Sequence, residues 1–591
     1  MTSKGKATSL VNYSGVNPFK DSQSRTFSDN KVLEEFCPTS TYWSLFNDQH
    51  EIVLGTRGSG KTILLKMMRY SLLKRLNHDQ ARCLAKEKTH IGVYVPLNLE
   101  FLSSFSYQNI PDSVKIPFFQ FSVNCLLAQS FLYEINSIIE DTTGFIEQAV
   151  KSVNITSVIA PLWFPDIDPI KFSSLDDLSS YINELYYSVD FSRDQISGIP
   201  KIFTGTICTP IQSVSQKILP ILELNSNVNW IICIDEAEFL EEAFQRCINT
   251  IFRSDSKGIV LKMATLPFKH TTKETLIDGV FAEPNGNDFN YRIIDMKHDH
   301  IDFVNVTNKL CSKRIGTAVP DLEGIISLEN FLGKVGEDDH IDYYKAEIGK
   351  HTSREEIEKI MLQEFSQERQ ENFMKGTEPE KQRKPLYDKF APIFFCREMY
   401  KISKKGNHIP GWFAGPSMVR RVSEGNPRLF IQLMNDLFDH ARNHTLTLKA
   451  QHKVISQFAS RICEATRGLP VDGPRLYMIL NEIADNLHAK VHEGILTDSG
   501  NDFFISNAWE DTIIEALKLG VQYSRLATNS SDLVDGISKD TIFSISNCYA
   551  VKYWIPMRKG GKPKIKLNPY SYQLRKTASI KAKDDTQTSL F

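Results

Sequence analysis

The sequence contains no run of 18 apolar residues, which is about the length a helix needs to cross a membrane. Its first residues, MTSKGKATSLVNYSGVNPFK, lack the apolar core of a signal peptide. Its ten cysteines are scattered singly, without a Cys-x-x-Cys pair, which argues against a structural zinc site and a disulfide framework. We therefore expect a cytosolic protein with reduced, buried thiols and no membrane partner.

The chain is long, and its charge is segregated. With 591 residues it exceeds what one hydrophobic core usually supports, so two to four domains are expected. The net charge is only −2, yet the stretch from Lys552 to Lys583 contains ten Lys or Arg and no acid. A block of one sign is more often an interaction surface than a solvated face.

The stretch EIVLGTRGSGKTILLKMM, residues 51–68, matches Gly-x-x-x-x-Gly-Lys-Thr, the phosphate-binding P-loop. An apolar run precedes the loop and an amphipathic pattern, TILLKMMRYSLLKRL, follows it, so a strand and a helix are expected on its two sides. Gly58 and Gly60 allow the backbone to wrap closely around an anion. Lys61 reaches the β- and γ-phosphates, and Thr62 ligates magnesium. The nucleotide-binding residues predicted for ATP and Mg²⁺ are Gly55, Thr56, Arg57, Gly58, Ser59, Gly60, Lys61 and Thr62.

An unbroken apolar run, Trp230–Ile234, ends in the acids Asp235 and Glu236. Such a run fits a parallel strand that is buried on both faces. Phosphoryl transfer to water depends on positioning and charge neutralisation, so a P-loop needs a second carboxylate site. We expect Asp235 to hold the magnesium shell and Glu236 to act on the attacking water as general base. Glu238 is expected to be only a neighbour.

Strand-like and helix-like segments alternate through the first half of the chain. The strand-like segments are EIVLG, HIGVYVPLNL, NWIICIDEAEF, GIVLKMATLPF and YRIIDM. This alternation indicates a doubly wound parallel sheet. About 130 residues separate the second and third segments, and FFQFSVNCLLAQSFLYEINSIIE predicts a long helix in that insertion. After residue 300 the pattern is helical, with a charged helix opened by a capping box at Ser353 and Glu356.

Three motifs, GTRGSGKT, IICIDEAE and EGNPRLF, in this order and with a strand between the last two, resemble those of AAA+ ATPases. In particular, they resemble the initiator-type branch of origin-recognition and replication-initiator proteins, whose bacterial relatives occur in mobile-element and phage-defence settings. It covers roughly residues 30 to 450, and the C-terminal part more weakly. It implies an α/β fold in which a P-loop AAA+ parallel-sheet core carries a helical lid and a C-terminal winged helix-turn-helix. It also implies ATP hydrolysis and assembly into a homo-oligomer.

The resemblance also implies roles for residues outside the P-loop. Thr265 ends the fourth strand and looks like sensor 1, which contacts the γ-phosphate or the water. Arg428 in GNPR looks like sensor 2, an arginine brought from the lid onto the γ-phosphate when ATP closes the cleft. An arginine finger of this family usually lies just before the fifth strand, where Arg292 stands, and Arg253 is the competing candidate.

The C-terminal part resembles a winged helix-turn-helix. PRLYMILNEIADNLHAKV and WEDTIIEALKLGVQYSRL are interpreted as two helices, and FSISNCYAVKYWIPMRKGGKPKIKL as two strands around a Gly-Gly turn, a wing. The basic wing tip, RKGGKPKIK, makes duplex DNA the expected partner through phosphate contacts. The predicted domains are a loosely ordered lead (1–30), an AAA+ domain (31–300) with a helical insertion at about 101–220, a lid with a charged helical insertion (301–450), a winged-helix domain (451–575) and a basic tail (576–591).

Two functions remain open at this point. In the first, ATP closes the AAA+ module, subunits assemble and the winged helix holds duplex DNA. In the second, the protein is a signalling or phage-defence ATPase whose helical insertion and C-terminal domain bind proteins. No nuclease, protease or deaminase motif is visible in the chain, so the second function requires a separate effector protein.

The chain ends in QTSLF, which resembles the short motif by which bacterial proteins dock on the sliding clamp. Gln587 would occupy one pocket of the clamp, and Leu590 and Phe591 an apolar one. Two bulky apolar residues on a polar tail are explained if a partner's pocket receives them. The alternative is that they fold back on their own domain.

Overall fold

The computed structural model describes residues 15–21, 27–97, 111–188, 199–254, 258–296, 300–319, 326–333, 354–374, 379–405, 411–506, 511–558 and 560–567. Contacts divide the chain into two compact units. The first, here called the sheet unit, lies within Gln23–Gly55 and Gly60–Ile294. The second, here called the helical unit, lies within Met1–Ser22, Thr56–Ser59 and Asp295–Phe591. No helix in these ranges is both long and apolar enough to span a bilayer.

A parallel sheet forms the centre of the sheet unit. Its strands within the described ranges are β1 (Glu51–Leu54), β2 (His90–Pro96), β3 (Asn229–Asp235), β4 (Ile259–Thr265) and β5 (Asn290–Ile293). Their order is β2-β3-β4-β1-β5, and each neighbouring pair is parallel. The sheet confirms the alternating pattern of the sequence and fits the core of an AAA+ protein.

Both faces of this sheet are buried, which explains its apolar strands. On one face, Ile231 and Cys233 of β3 join a core that includes Leu65 and Met68. On the other face, Trp230 meets the ring of Phe131 edge-on at 4.6 Å between centroids. Alternate residues of β3 therefore enter different cores, so a polar residue would be costly at any of these positions.

The helices of the sheet unit flank this sheet and fill the long connection between β2 and β3. They are α1 (Asp29–Glu35), α2 (Ser40–Ser44), α3 (Lys61–Met67), α4 (Tyr70–Leu73), α5 (Asp79–Glu87), α6 (Asp112–Ile139), α7 (Phe145–Trp163), α8 (Leu175–Ser188), α9 (Lys201–Thr204), α10 (Thr209–Ile218) and α11 (Glu242–Arg253). The predicted long helix of the insertion is confirmed as α6, which begins six residues earlier than the apolar pattern suggested.

The single helix predicted after the P-loop is wrong, because the structure has two helices, α3 and α4. Arg69 between them is extended, with φ −53° and ψ 133°. The break coincides with a close approach to β2, since a Cβ atom on Gly92 would lie 2.1 Å from the carbonyl oxygen of Met68. Arg69 also forms a parallel bridge with Gly92. The backbone at the break therefore bonds to the sheet rather than continuing the helix.

The helical unit is built mainly from helices. They are α12 (Ile301–Ala318), α13 (Leu328–Leu332), α14 (Arg354–Gln363), α15 (Gln367–Met374), α16 (Pro379–Ser403), α17 (Pro416–Ser423), α18 (Pro427–Asn443), α19 (Leu448–Ala465), α20 (Gly473–His492), α21 (Asp511–Gln522), α22 (Ser530–Asp535) and α23 (Asn547–Lys552). The charged helix predicted after Ser353 is two helices, α14 and α15, and Ser353 itself lies outside the described residues.

The helix predicted after EGNP is confirmed as α18. Asn426 caps its first turn, because its Oδ1 atom accepts hydrogen bonds from the main-chain N–H groups of Arg428 and Leu429. The predicted apolar face is buried at each of its four residues, Leu429, Leu433, Leu437 and Phe438. The motif residues just before and at the start of this helix are therefore held on a well-packed element.

A small sheet accompanies the last helices. It contains β6 (Asp502–Ile505), β7 (Leu526–Ala527), β8 (Phe543–Ile545) and β9 (Lys564–Ile565), in the order β7-β8-β6-β9. β6 runs antiparallel to β8 and parallel to β9. The two helices predicted in this region are confirmed as α20 and α21.

The predicted wing hairpin is wrong. The apolar stretch after β8 forms the helix α23, whose residues Cys548, Tyr549 and Val551 are all buried, and such a short run does not distinguish helix from strand by periodicity. β8 and β9 do not pair with each other, because β6 lies between them. The Gly-Gly pair serves a different purpose, since a Cβ atom on Gly561 would lie 2.4 Å from the carbonyl oxygen of Asp498.

The described part of the N-terminal lead is packed, although the sequence predicts a loosely ordered segment over residues 1–30. Phe19 is buried, and Asn17 donates from Nδ2 to the carbonyl oxygen of Asn435 at 2.9 Å. Arg314 donates from Nη1 to the carbonyl oxygen of Asp21 at 2.7 Å. An isolated buried aromatic such as Phe19 carries no periodic signal in a polar stretch, which is why the sequence pattern does not predict the packing of this segment. The predicted domain limits otherwise stay predictions.

Candidate nucleotide site

The P-loop connects β1 to α3 in the predicted way. Gly58 and Gly60 adopt left-handed φ angles of 90° and 99°, which side chains rarely tolerate. The N–H group of Gly55 donates to the carbonyl oxygen of Thr265 at 3.4 Å, which ties the start of the loop to β4. The Nζ atom of Lys61 donates to the carbonyl oxygen of Gly55 at 2.7 Å. The lysine ammonium group is therefore held inside the curve of its own loop.

The carboxyl ends of the central strands lie side by side. Leu54 pairs with Thr265 between β1 and β4, and Ile234 pairs with Met263 between β3 and β4. Asp235 is the last residue of β3. The register thus brings the start of the P-loop, Thr265 and Asp235 to one edge of the sheet, where ligands of open parallel sheets bind.

Asp235 is 2% exposed and has one hydrogen-bond donor from β2. The hydroxyl of Tyr94 donates to its Oδ2 atom at 2.9 Å. Burial and the negative charge of Asp235 together raise the pKa of Tyr94 well above its usual range. Tyr94 therefore stays protonated and acts as a permanent donor that orients this carboxylate. Tyr94 is not among the residues predicted from the sequence, where its only signal is the polar tip of its side chain in an otherwise apolar strand.

The two glutamates after β3 differ in backbone and environment. Glu236 adopts the left-handed conformation, with φ 61° and ψ 30°, which is uncommon for a residue with a side chain. Burial raises the pKa of Glu238, and the nearby charge of Lys61 opposes that shift. The Oε2 atom of Glu238 is buried and makes no hydrogen bond within the described residues. Glu238 is therefore near enough to Lys61 for their charges to interact.

The oxygen atoms at this edge of the sheet fit a nucleotide with Mg²⁺. Thr265 is 1% exposed, and its Oγ1 atom has no hydrogen-bond partner among the residues that the structure describes. Hydroxyl and carboxylate oxygens such as those of Thr62 and Asp235 are the ligands Mg²⁺ prefers, with phosphates and water completing its shell. Within the same residues, no three His, Cys, Asp or Glu side chains gather as a metal cage. A magnesium ion here would thus depend on the phosphates.

The tip of the P-loop, Thr56–Ser59, is part of the helical unit. Asn426 donates from Nδ2 to the carbonyl oxygen of Arg57 at 2.9 Å. A Cβ atom on Gly58 would lie 2.7 Å from Cβ of Arg428, so glycine is required there by space as well as by φ. The GNPR motif therefore contacts the tip of the P-loop directly, and the sensor 2 role of Arg428 stays a prediction.

The candidate arginine fingers both form ion pairs with acids of the sheet unit. Arg292 lies within β5 rather than before it, and its Nη2 atom is 2.6 Å from Oε1 of Glu51. Arg253 lies at the end of α11, and its Nη1 atom is 2.9 Å from Oδ1 of Asp288. A finger acts on the nucleotide of a neighbouring subunit, so a single chain does not test it, and Arg292 stays a prediction.

The basic residues of the C-terminal stretch differ in ion pairing and in exposure. Arg558 is paired with Asp498, with 2.7 Å between Nη1 and Oδ1. Lys562, Lys564 and Lys566 are all exposed, whereas Ile565 between the last two is buried. These three lysines, here called the β9 lysine row, occupy alternate positions in and beside the short strand β9. Lys559, the tail and the clamp-like residues Gln587, Leu590 and Phe591 lie outside the described residues.

Comparison with known proteins agrees with the fold and with the three motifs. The sequence profile of the ORC-CDC6-like family matches residues 17–567, which is nearly the whole chain. No curated protein sequence matches the chain. The family match supports an AAA+ ATPase of the initiator type and leaves the bacterial branch and the choice of partner open. The chain belongs to the ORC-CDC6-like family.

Proposed function

We propose that this protein is a Mg²⁺-dependent ATPase whose nucleotide state controls its assembly. The observation that carries the proposal is the convergence of Lys61, Asp235 and Thr265 at the carboxyl edge of one parallel sheet. These residues supply an ammonium group, a carboxylate and a buried hydroxyl, which are the groups that phosphoryl transfer from ATP requires.

Each residue then has a distinct task. The amides of the P-loop and Lys61 neutralise the phosphates, and Thr62 and Asp235 hold the metal. Mg²⁺ supplies charge neutralisation at the phosphate oxygens. Glu236 accepts the proton of the attacking water, and Thr265 orients that water or the γ-phosphate. Arg428 contacts the γ-phosphate from the GNPR helix, and a partner's arginine, for which Arg292 is the candidate, completes the site in the oligomer.

Binding and turnover assays test this proposal. Wild-type protein should bind a fluorescent ATP analogue and release phosphate only with Mg²⁺ present. Lys61→Ala should lose binding, because the point charge on the phosphates is deleted. Lys66→Ala provides the control, since it removes a lysine from the same helix outside the motif. Equal nucleotide binding by Lys61→Ala and wild type would contradict the proposal.

We further propose that the assembled ATPase binds duplex DNA through the part of the chain from α20 to β9, here called the C-terminal module. The β9 lysine row supports this, because three exposed cations at alternate positions can each contact a phosphate, whereas an isolated charge contacts only one. Such contacts give affinity without base specificity. Titration of ATP turnover with duplex DNA tests the link, and stimulation or inhibition that saturates with DNA is the expected result.

The alternative is a signalling or defence ATPase that acts on a separate effector protein. An exposed apolar stripe on α7 supports it. Phe145 and Ile146 are 84% and 80% exposed, and Val150 and Val153 continue the stripe at helical spacing. Turnover that ignores DNA, together with loss of partner binding in a Val150→Asp, Val153→Asp variant, would favour this function over the first.

A further inference from the structure

A segment of the C-terminal module holds the P-loop tip, although no nucleotide motif of the sequence includes it. This segment, Gln522–Ser524, begins at the last residue of α21 and leads towards β7. The main-chain N–H of Arg57 donates to the carbonyl oxygen of Gln522 at 2.8 Å. The guanidinium of Arg57 lies 5.5 Å from the ring centroid of Tyr523, and its Nη1 atom donates to the Tyr523 hydroxyl at 3.1 Å. Both backbone and side chain of Arg57 are therefore engaged.

A second set of contacts fixes the neighbouring residue of the tip. The hydroxyl of Ser524 donates to Oγ1 of Thr56 at 2.8 Å. Asn426 donates from Nδ2 to Oγ of Ser524 at 3.2 Å, and the same amide also holds the carbonyl of Arg57. Ser524 is buried, so these hydrogen bonds are protected from water. One serine thus connects the loop tip, the GNPR motif and the C-terminal module.

The turn that carries Ser524 is itself rigidly held. Ser524 has a left-handed φ of 55°, which is costly for a residue with a side chain and persists only when its surroundings impose it. The N–H of Arg525 donates to the carbonyl oxygen of Gly520 at 2.7 Å, and its Nε atom donates to Oγ1 of Thr466 at 3.1 Å. The segment is therefore a fixed support and not an adaptable loop.

These contacts leave the phosphate-facing groups of the loop available. The N–H groups of Gly58 and Gly60 donate to no group in the described part of the chain. The support instead contacts Thr56 through Ser524 and the main-chain N–H of Arg57 through Gln522, while Asn426 holds the carbonyl oxygen of Arg57. The support thus engages the residues that precede the phosphate-binding amides, and it does not compete with an anion for those amides.

We propose that Tyr523 and Ser524 are positioning residues for the nucleotide, and this rests on the function proposed above. They hold the tip of the P-loop in its phosphate-binding shape, so ATP meets a loop whose conformational entropy is already lost. Linkage requires the converse as well: bound nucleotide must strengthen the contact between the tip and the segment 522–524 by the same factor. The C-terminal module is thereby part of the nucleotide site's support.

Nucleotide titrations of the full chain test the first half of this proposal. Ser524→Ala should raise the dissociation constant of a fluorescent ATP analogue about fivefold, the value of one hydrogen bond. Tyr523→Ala should weaken binding further, and Tyr523→Phe, which keeps the ring beneath Arg57, should lie between Tyr523→Ala and wild type. Tyr477→Phe is the matched control, because it also removes one phenolic hydrogen bond, to Glu464, in the same module. It should bind like wild type.

A double-mutant cycle separates positioning from a general loss of stability. Thr56→Val removes the hydroxyl that Ser524 contacts, so adding Ser524→Ala to it should cause little further loss of affinity. Full additivity of the two losses would overturn the specific contact, whether or not the variants melt earlier than wild type.

Hydrogen exchange tests the second half. Amides in peptides covering 519–527 should exchange more slowly when wild-type protein binds a non-hydrolysable ATP analogue, and Lys61→Ala should show no such change. Failure of wild type to bind nucleotide would defeat the proposed function. Normal Lys61-dependent binding in wild type, combined with unchanged affinity in Ser524→Ala and Tyr523→Ala, would overturn the positioning role alone.

Discussion

Tyr94 and Asp235 are joined by a hydrogen bond of 2.9 Å between neighbouring parallel strands. The donor is buried and its pKa is raised well above its usual range, so Tyr94 is protonated at neutral pH. A carboxylate fixed in this way presents its second oxygen in a constant direction, which is what a metal ligand needs.

Tyr94→Phe should weaken the magnesium dependence of turnover. Loss of an outer-shell donor typically costs about tenfold in metal affinity, so the Mg²⁺ concentration at half-maximal turnover should rise by about that factor. Turnover at saturating Mg²⁺ should recover. An unchanged Mg²⁺ titration would show that Asp235 needs no orientation by Tyr94.

Glu236→Gln should bind ATP and hydrolyse it at least about a hundredfold more slowly, because general base catalysis contributes that much or more. Glu238→Gln is the matched control two residues away, and it should retain most of the turnover. Pre-steady-state phosphate release at saturating nucleotide measures both. The reverse order of effects would assign the base to Glu238, whose raised pKa already shows that it lies in a buried environment.

Arg428→Ala should leave ATP binding nearly intact and abolish the ATP-dependent change in assembly, because the proposed contact of its guanidinium is with the γ-phosphate, which only ATP supplies. Size-exclusion chromatography with a non-hydrolysable analogue measures the shift. Arg442→Ala is the control, since Arg442 lies in the last turn of the same helix α18. A shift of wild-type size in Arg428→Ala would make this arginine a structural residue.

Glu424→Gln should make stability less dependent on pH. Burial raises the pKa of Glu424 from its usual value of about 4.5 to about 8. The stability that this group contributes is therefore fully present below about pH 4.5 and is lost as the pH rises through about 8. Glutamine keeps the oxygen that accepts from the N–H of Asn547 and carries no charge. The fall in melting temperature between pH 6 and pH 9 should therefore shrink in the variant.

Glu329→Gln provides the opposite case for the same measurement. Its pKa is lowered by its hydrogen bond and ion pair with Arg420, although burial acts in the other direction. Its contribution is present above its unfolded pKa, so it is the same at pH 6 and at pH 9. The variant should melt earlier by a similar amount at both pH values. If Glu329→Gln reduced the fall in melting temperature between pH 6 and pH 9 as much as Glu424→Gln does, that fall could not be assigned to Glu424.

Charge reversal of the β9 lysine row should weaken DNA binding equally for all sequences. Each lost phosphate contact should also reduce the slope of log affinity against log salt by about 0.9. Arg558→Ala is the control, because that arginine is already paired with Asp498, and its slope should match wild type. Salt-independent affinity, or a wild-type slope after reversal of the three lysines, would exclude this face as the DNA contact.

Sequence patterns predicted the central sheet well, because each strand there is decided by a local apolar run, and the P-loop and Asp235 lie at strand ends. They failed where one backbone approaches another. The helix break at Arg69 depends on Gly92, and the Gly-Gly pair near Arg558 depends on Asp498, so neither shows in its own stretch. A strand is predicted in place of the helix α23 because its six residues, five of them buried, carry no distinct period.

For the candidate site as well, some residues could be predicted from local sequence patterns and others could not. The P-loop and Asp235 follow from spacing, since their chemistry fixes residue type and position. Tyr94, Tyr523 and Ser524 did not, because a supporting hydrogen bond can come from any element that passes close by. Ser524 is separated from Thr56 by 468 residues in the chain, and no local pattern connects them.

The break between α3 and α4 has a consequence for solubility. β2 is an outer strand of the central sheet, and an outer strand exposes unpaired N–H and C=O groups that invite another chain to add a strand. Arg69 bridges to Gly92 on this strand, so the interrupted helix occupies part of that edge. A side chain at position 92 would push the bridge away, and the cost would be aggregation through the uncovered edge as well as a weaker fold.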